Sequence, residues 1–463
     1  MKKETQKTVF IILGFGMDIR NVLKTDIFSM LKSEPDIRLV IFSPLADEAF
    51  KKEYESDNVI VEPTPSHRGF LTRRILAIKR YVWIKSTDVQ TIKIRKPTIT
   101  RIVKSRDIFF GKIARAIVRD DSKLLKILNR LQLFFFRDKK AKYYFDRYKP
   151  DLVFYTTLYA RDICLEIEAQ KRGIKTVCLI HSWDNPTAKG VFPVVPDKIV
   201  VWNEILKEEI AKHHEYPGKD IYVAGIPQFD IYYDKTRFMT KEQFFKKWGL
   251  DLYKKLITYA TPMHGQAPFS PDIVNILYNA IKENYFSYPC QLLIRLHPRD
   301  FKERYKDFEG LNGIIIQMPG READVKDRWN PTEEDMLTLA ETMYYSDVLI
   351  NVASTIAIDA VTFDTPVVCI GFDGYQEKPY LSSCRRFYDY DHIKNIVATK
   401  GVRVAYSREE LLRFTDLYLK SPDIDAEGRE KIRKEQCWRL DGNSGKRTAD
   451  FILRYLNGIQ QPV

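Results

Sequence analysis

Ser346-Asp-Val-Leu-Ile-Asn351, Val352-Ala-Ser354-Thr355, Ile356-Ala-Ile-Asp359-Ala360-Val361, Asp364-Thr365-Pro366 and Val367-Val-Cys-Ile370-Gly371 follow one another along the chain. In order they spell strand, turn, helix, helix stop and strand. A short apolar run meets two adjacent hydroxyls, and proline ends the helical stretch before a second apolar run begins. Hydroxyls and bare backbone N–H groups at a helix N-terminus form a site for phosphate. Asp359 lies four residues after Thr355 on the same helix face, placed to meet a sugar hydroxyl beside that phosphate.

Outward from this unit the same alternation repeats. Apolar runs at 256–260, 291–295 and 313–317 precede it, with helices between them such as 334–345. A first series has runs at 8–13, 37–42, 59–62, 152–155, 176–180, 198–202 and 221–224, with helices expected at 21–31 and 161–172. Strand and helix alternating at this spacing predict α/β architecture with parallel sheets. At 463 residues the chain exceeds one ordinary core. The expectation is two doubly wound, Rossmann-like domains facing a cleft, with polar, helical residues 230–251 as a linker. Domain boundaries are placed at 1–235 and 236–444. A last helix, 445–463, is expected to cross back to the first domain.

A basic helical insertion, about 67–150, interrupts the first series. It carries 24 Lys or Arg against six Asp or Glu, a local net of +18 in a chain whose total is +13. Its cations alternate with apolar and aromatic residues, as in Ile108-Phe-Phe-Gly-Lys-Ile-Ala-Arg-Ala-Ile-Val118. That pattern suits an anionic membrane surface; a solvated face over an ordinary core stripe explains it nearly as well, and nucleic acid ranks below both. Six cysteines without paired spacing read as buried thiols of a reducing compartment. The leading apolar run is too short for a signal sequence, and no run reaches ~18 residues. A cytoplasmic, peripheral location is the expectation.

Ligands of doubly wound sheets bind beyond the strands' carboxyl ends. Those positions hold Gly14-Phe-Gly-Met-Asp18-Ile-Arg20-Asn21, Thr156-Thr157, His181-Ser-Trp-Asp184-Asn185 and Gly225-Ile-Pro-Gln-Phe-Asp230 in the first half. In the second they hold Thr261-Pro-Met-His264-Gly265, Arg295-Leu-His297-Pro298-Arg299, the 351–355 turn and Gly371-Phe-Asp-Gly374. Gly14-Phe-Gly16 lacks the third glycine of a dinucleotide fingerprint, no Walker lysine is present, and no His or Cys cluster has zinc spacing. The chemistry expected therefore uses neither cofactor nor metal. A neutral His181 can take a proton from an attacking hydroxyl, with Asp184 orienting it. Arg295, His297 and Arg299 are cations suited to a pyrophosphate leaving group. His213-His214 and Asp389-Tyr-Asp391 read as solvent-facing.

The layout resembles the GT-B glycosyltransferase superfamily. Within it, His181-Ser-Trp-Asp-Asn-Pro-Thr-Ala-Lys-Gly190, Gly225-Ile-Pro-Gln-Phe-Asp230, Arg295-Leu-His-Pro298 and Ser346-Asp-Val-Leu-Ile-Asn-Val-Ala-Ser-Thr355 resemble the motifs of the CDP-glycerol glycerophosphotransferases and related bacterial surface-polysaccharide transferases. The resemblance covers about 150–450. It implies His181 as base, His297 on the donor pyrophosphate, Ser354 and Thr355 on donor phosphate, and Asp359 on the ribose; Thr261 and Arg295 join the donor side. The family's Trp-His-Gly order is His-Ser-Trp-Asp here, so the base is either His181 or Asp184. Its Asp-Tyr-Ser-Ser is Asn351-Val-Ala-Ser-Thr355, which favours a nucleotide-sugar donor over glycerol phosphate. The resulting expectation is a transferase carrying sugar from a nucleotide-activated donor to a surface glycan or lipid-linked acceptor. A polyol-phosphate transferase and a non-catalytic scaffold at the membrane are the alternatives.

Overall fold

A computed structural model describes residues 6–14, 16–65, 69–102, 105–156, 163–320 and 329–459. Phe15, Thr157 and the first residues of the 67–150 and 161–172 segments lie outside them. The chain forms two compact units: Met1–Gln228 with Asn443–Val463, and Phe229–Gly442.

Among the described residues of the first unit, seven strands make one parallel sheet: β1 (Lys7–Ile12), β2 (Ile37–Ser43), β3 (Val59–Pro63), β4 (Leu152–Tyr155), β5 (Lys175–Leu179), β6 (Lys198–Val201) and β7 (Ile221–Val223). Their order is β3-β2-β1-β4-β5-β6-β7. Val9 pairs with Leu39 on one side and Leu152 on the other. Phe10, Ile11, Val40, Val153, Phe154 and Cys178 are all buried. Strands covered on both faces need apolar residues at every position, which is why these segments read as continuous runs rather than alternating ones. Strand order reverses between β1 and β4, and side chains just past the ends of β1, β4 and β5 are therefore neighbours. The helix expected at 21–31 is a π-helical turn, Ile19–Leu23, followed by a helix over Asp26–Ser33. The last helix, Ser444–Leu456, packs on Asp26–Ser33, and Phe451, Ile452 and Leu456 join this unit's core.

The insertion between β3 and β4 is helical: Phe70–Ser86, Gln90–Ile102, Ser105–Ile117, Asp121–Phe135 and Lys139–Tyr148. Ile75, Tyr81, Val82, Leu124 and Leu128 form its own small core. The Tyr81 ring lies where a β-carbon on residue 111 would sit, so glycine there lets two helices approach. Phe109, Phe110, Ile113 and Ile117 on one helix, with Phe134 and Phe135 on the next, stay exposed.

Among the described residues of the second unit, six parallel strands are β8 (Lys255–Ala260), β9 (Cys290–Arg295), β10 (Ile314–Gln317), β11 (Val348–Asn351), β12 (Val367–Ile370) and β13 (Arg403–Ala405). They run in the order β10-β9-β8-β11-β12-β13. The reversal falls between β8 and β11, with Ala260 paired to Asn351 and Arg295. The linker expected at 230–251 is instead part of this unit. Thr240 and Gln243 form a capping box on helix Lys241–Trp248, and Gly249 ends that helix with φ 66°. Phe244 and Phe245, fully buried, pack on Leu256 and Leu293. A polar helix with one adjacent aromatic pair is a lid on the core, not a tether.

Candidate functional site

In the first unit, β5 runs through Ile180 into His181. The His181 Nδ1 atom lies 2.8 Å from the carbonyl oxygen of Thr156, the residue after β4. A carbonyl only accepts, so Nδ1 carries the proton and Nε2 of the neutral ring holds the lone pair. The carboxylate facing this ring comes from the turn after β1. Asp18 is fully buried, its Oδ2 accepts the Gly14 N–H at 2.7 Å, and its Oδ1 is 3.5 Å from His181 Nδ1. Asn21 Nδ2 donates to the His181 carbonyl at 3.4 Å. Three strand ends thus converge on one imidazole, itself only 13% exposed. Asp184 is half-buried in the next turn, with Oδ2 3.3 Å from Lys189 Nζ.

The backbone after His181 is gripped from outside the sheet. Arg95 of the insertion donates to the Ala188 carbonyl. Lys79 Nζ, fully buried, donates to the Pro193 carbonyl at 2.8 Å and to Gln132 Oε1 at 3.1 Å, while Gln132 Nε2 reaches the same carbonyl at 2.9 Å. Burial lowers the Lys79 pKa to about 7. His214, expected to face solvent, is instead stacked between Phe192 and Trp83 at 4.3 and 5.3 Å. Its Nε2 lies 2.8 Å from the Pro186 carbonyl, and burial lowers its pKa to about 4. The charged helix end concealed it because its partners are remote in sequence.

In the second unit, Thr261 follows β8 and is buried; its Oγ1 accepts the His297 N–H at 3.0 Å. The Arg299 N–H donates to His297 Nδ1 at 2.9 Å. That bond puts the lone pair on Nδ1, leaving Nε2 of the neutral ring as the N–H donor. Arg295 ends β9, buried, with its guanidinium 2.9 Å from Gln317 Oε1. Burial, opposed by the Asp335 carboxylate, lowers its pKa to about 10, so it stays cationic at neutral pH. The expected trio of cations is therefore split: Arg295 lies inside, His297 is half-buried and Arg299 is exposed.

After β11 the chain turns through Ala353 with φ 40°, a left-handed conformation costly for a residue with a β-carbon. Asn351 Oδ1 accepts the Ser354 N–H at 3.2 Å, and Tyr388 OH accepts the Ala353 N–H at 3.3 Å. Ser354 and Thr355 are half-buried beside this turn. The helix they precede, Ile356–Val361, has only six residues, so its dipole is short and the turn's hydroxyls carry most of its polarity. Asp359 is buried, and its Oδ1 accepts the Tyr232 OH at 2.5 Å. Asp18, quoted only as part of the turn after β1, and Tyr232 were given no role by the sequence reasoning. Asp18 was visible as an acid after a strand-end glycine; Tyr232 carried no signal. Among the described residues, no group of three or more His, Cys, Asp or Glu is placed to hold a metal ion.

The fold has solved counterparts. The S. aureus MnaA–UDP co-structure aligns with TM-score 0.57 at 12% identity, covering 98% of this chain and 99% of that one. UDP-GlcNAc 2-epimerase from Neisseria meningitidis, bound to UDP-GlcNAc, gives 0.55 at 13% identity over 96% and 100%. A glycosyltransferase from Rickettsia africae gives 0.52 at 13% identity over 98% and 99%. At these identities the likeness is one of fold: an α/β chain of GT-B type with two Rossmann-like units and a basic helical insertion in the first. No curated protein sequence matches the chain. Residues 193–454, more than half of its length and spanning the whole second unit, match the family described as CDP-Glycerol:Poly(glycerophosphate) glycerophosphotransferase, and the chain belongs to that family.

Proposed function

We propose that this transferase moves a group from a nucleotide-activated donor to a hydroxyl of a surface glycan or lipid-linked acceptor. The observation that carries the reading is that Nδ1 faces a carbonyl acceptor in one strand-end histidine and a backbone N–H donor in the other. His181, with its lone pair on Nε2, accepts the proton of the attacking hydroxyl. His297, with N–H at Nε2, donates to the phosphate that leaves with the nucleotide. Ser354 and Thr355 hold donor phosphate beside the Ala353 turn, with Thr261 and Arg295 supporting the His297 loop from within. Asp359, bonded to Tyr232, is assigned to the ribose. Acceptor binding falls to the first unit and donor binding to the second.

The departures at 351–355 favour a nucleotide sugar as donor. Membership of the glycerophosphotransferase family favours a second reading, transfer of a CDP-linked polyol phosphate. The two differ in the bond broken: sugar transfer from a nucleoside diphosphate sugar releases the nucleoside diphosphate, whereas polyol-phosphate transfer from a CDP-polyol releases CMP. A panel of UDP, GDP, CMP and CDP donors, followed by thermal shift and by chromatography of the nucleotide released, is expected to single out one donor class. Binding of none would leave the scaffold reading standing.

The insertion supports attachment to an anionic membrane surface, since a segment with a sequence charge of +18 also exposes Phe109, Phe110, Ile117 and Phe134. No helix among the described residues is long and apolar enough to cross a membrane. Co-sedimentation with vesicles containing phosphatidylglycerol is expected at low salt and should fall at least tenfold in Phe109→Ser/Ile117→Ser. Equal binding to neutral vesicles would exclude the electrostatic part of this attachment.

A further inference from the structure

We propose that Asp18 is the positioning residue of the acceptor base. This rests on the reading of His181 as that base. Asp18 lies 163 positions upstream of His181 and meets it only because β1, β4 and β5 are adjacent in the sheet. Its Oδ2 is occupied by the Gly14 N–H at 2.7 Å, so the turn leaving β1 fixes the carboxylate's orientation. Its Oδ1 then lies 3.5 Å from His181 Nδ1, the ring nitrogen already 2.8 Å from the Thr156 carbonyl. Nδ1–H donates to the Thr156 carbonyl, with the Asp18 carboxylate as a longer, electrostatic neighbour, and both favour the tautomer with the lone pair on Nε2. When Nε2 takes the proton of the acceptor hydroxyl, the new positive charge forms beside a carboxylate buried in low dielectric, which stabilises it most where water is absent. Asp184, half-buried and 3.3 Å from Lys189 Nζ, is neutralised by a different partner.

A purely structural Asp18 would serve only the Gly14 turn. Asp18→Asn separates the two roles, because the amide oxygen still accepts the Gly14 N–H while the charge facing His181 is gone. With 15N-labelled histidine, and His181→Gln to assign the signal, the wild-type ring is expected as the Nδ1–H tautomer. A wild-type ring protonated at Nε2 alone overturns the inference, and this measurement needs no variant at position 18 to fold. In Asp18→Asn the tautomer should become mixed and kcat should fall about 100-fold, with donor KM changed less than twofold. An unmoved tautomer together with wild-type kcat overturns the role of Asp18. If His181→Gln keeps full activity while Asp18→Asn still shifts the tautomer, the base reading falls and the positioning of the ring by Asp18 stands.

Discussion

His181 and His297 each sit just past a strand one step from the point where strand order reverses, on opposite sides of that point in their two sheets, and their Nδ1 atoms do opposite things. One donates to a carbonyl contributed by a neighbouring strand; the other accepts from an N–H two residues along its own turn. The first arrangement leaves a lone pair at Nε2 and the second leaves a proton there. A base and a donor are thus made from one residue type by a single hydrogen bond each. The support differs as well. The His297 ring is fixed by its own turn, through the Arg299 N–H, while its backbone N–H is held by Thr261 past the neighbouring strand β8. His181 depends on Thr156 and Asp18, and the segment after it on Arg95, Lys79 and Gln132, all remote in sequence.

The largest effects should come from glutamine at each histidine. A glutamine side chain can donate an N–H but cannot take a proton at neutral pH. His181→Gln is expected to lower kcat by roughly 10²- to 10⁴-fold, the usual contribution of a general base. His297→Gln, which can restore the donor, should lose less than about tenfold, and His297→Ala about 10²- to 10³-fold, as expected when one charge-stabilising donor is removed. Steady-state kinetics on the three variants checks this. Similar losses for both glutamine variants would erase the distinction between base and donor.

The two histidines also mark what could be read from the chain alone. His297 was legible because Arg295-Leu-His-Pro-Arg299 is contiguous and the N–H that fixes its ring lies two residues along. Both sheets were legible because strands buried on both faces are unbroken apolar runs; β13 escaped because Arg403-Val-Ala405 is three residues opening on a cation. His181 was legible as a strand-end residue, but its carboxylate was sought in the nearby Asp184 rather than in Asp18, since only the strand order brings β1 beside β4 and β5. Tyr232 against Asp359 and His214 between Phe192 and Trp83 were hidden for the same reason. What local sequence could not supply was tertiary adjacency.

Lys79 tests the remote support of the acceptor side. Its ammonium is buried against neutral acceptors, the Pro193 carbonyl and Gln132, and burial lowers its pKa from 10.5 to about 7. Between those values the unfolded chain binds a proton that the folded chain has released, so unfolding free energy rises with pH across that window. Below about pH 7 both states are protonated and Lys79 adds no slope. The slope it contributes approaches about 1.4 kcal/mol per pH unit. In Lys79→Met the stem is replaced and the titration removed. Urea unfolding at pH 7 and pH 9 should show wild type gaining about 2 to 3 kcal/mol more than the variant over that interval. The same substitution loosens the backbone after His181 while leaving the second unit untouched, so kcat should fall by less than about tenfold and donor affinity by calorimetry should not move. A drop in donor affinity would mean that the insertion supports both histidines, and the contrast between a donor ring fixed by its own turn and a base ring fixed by remote residues would fail.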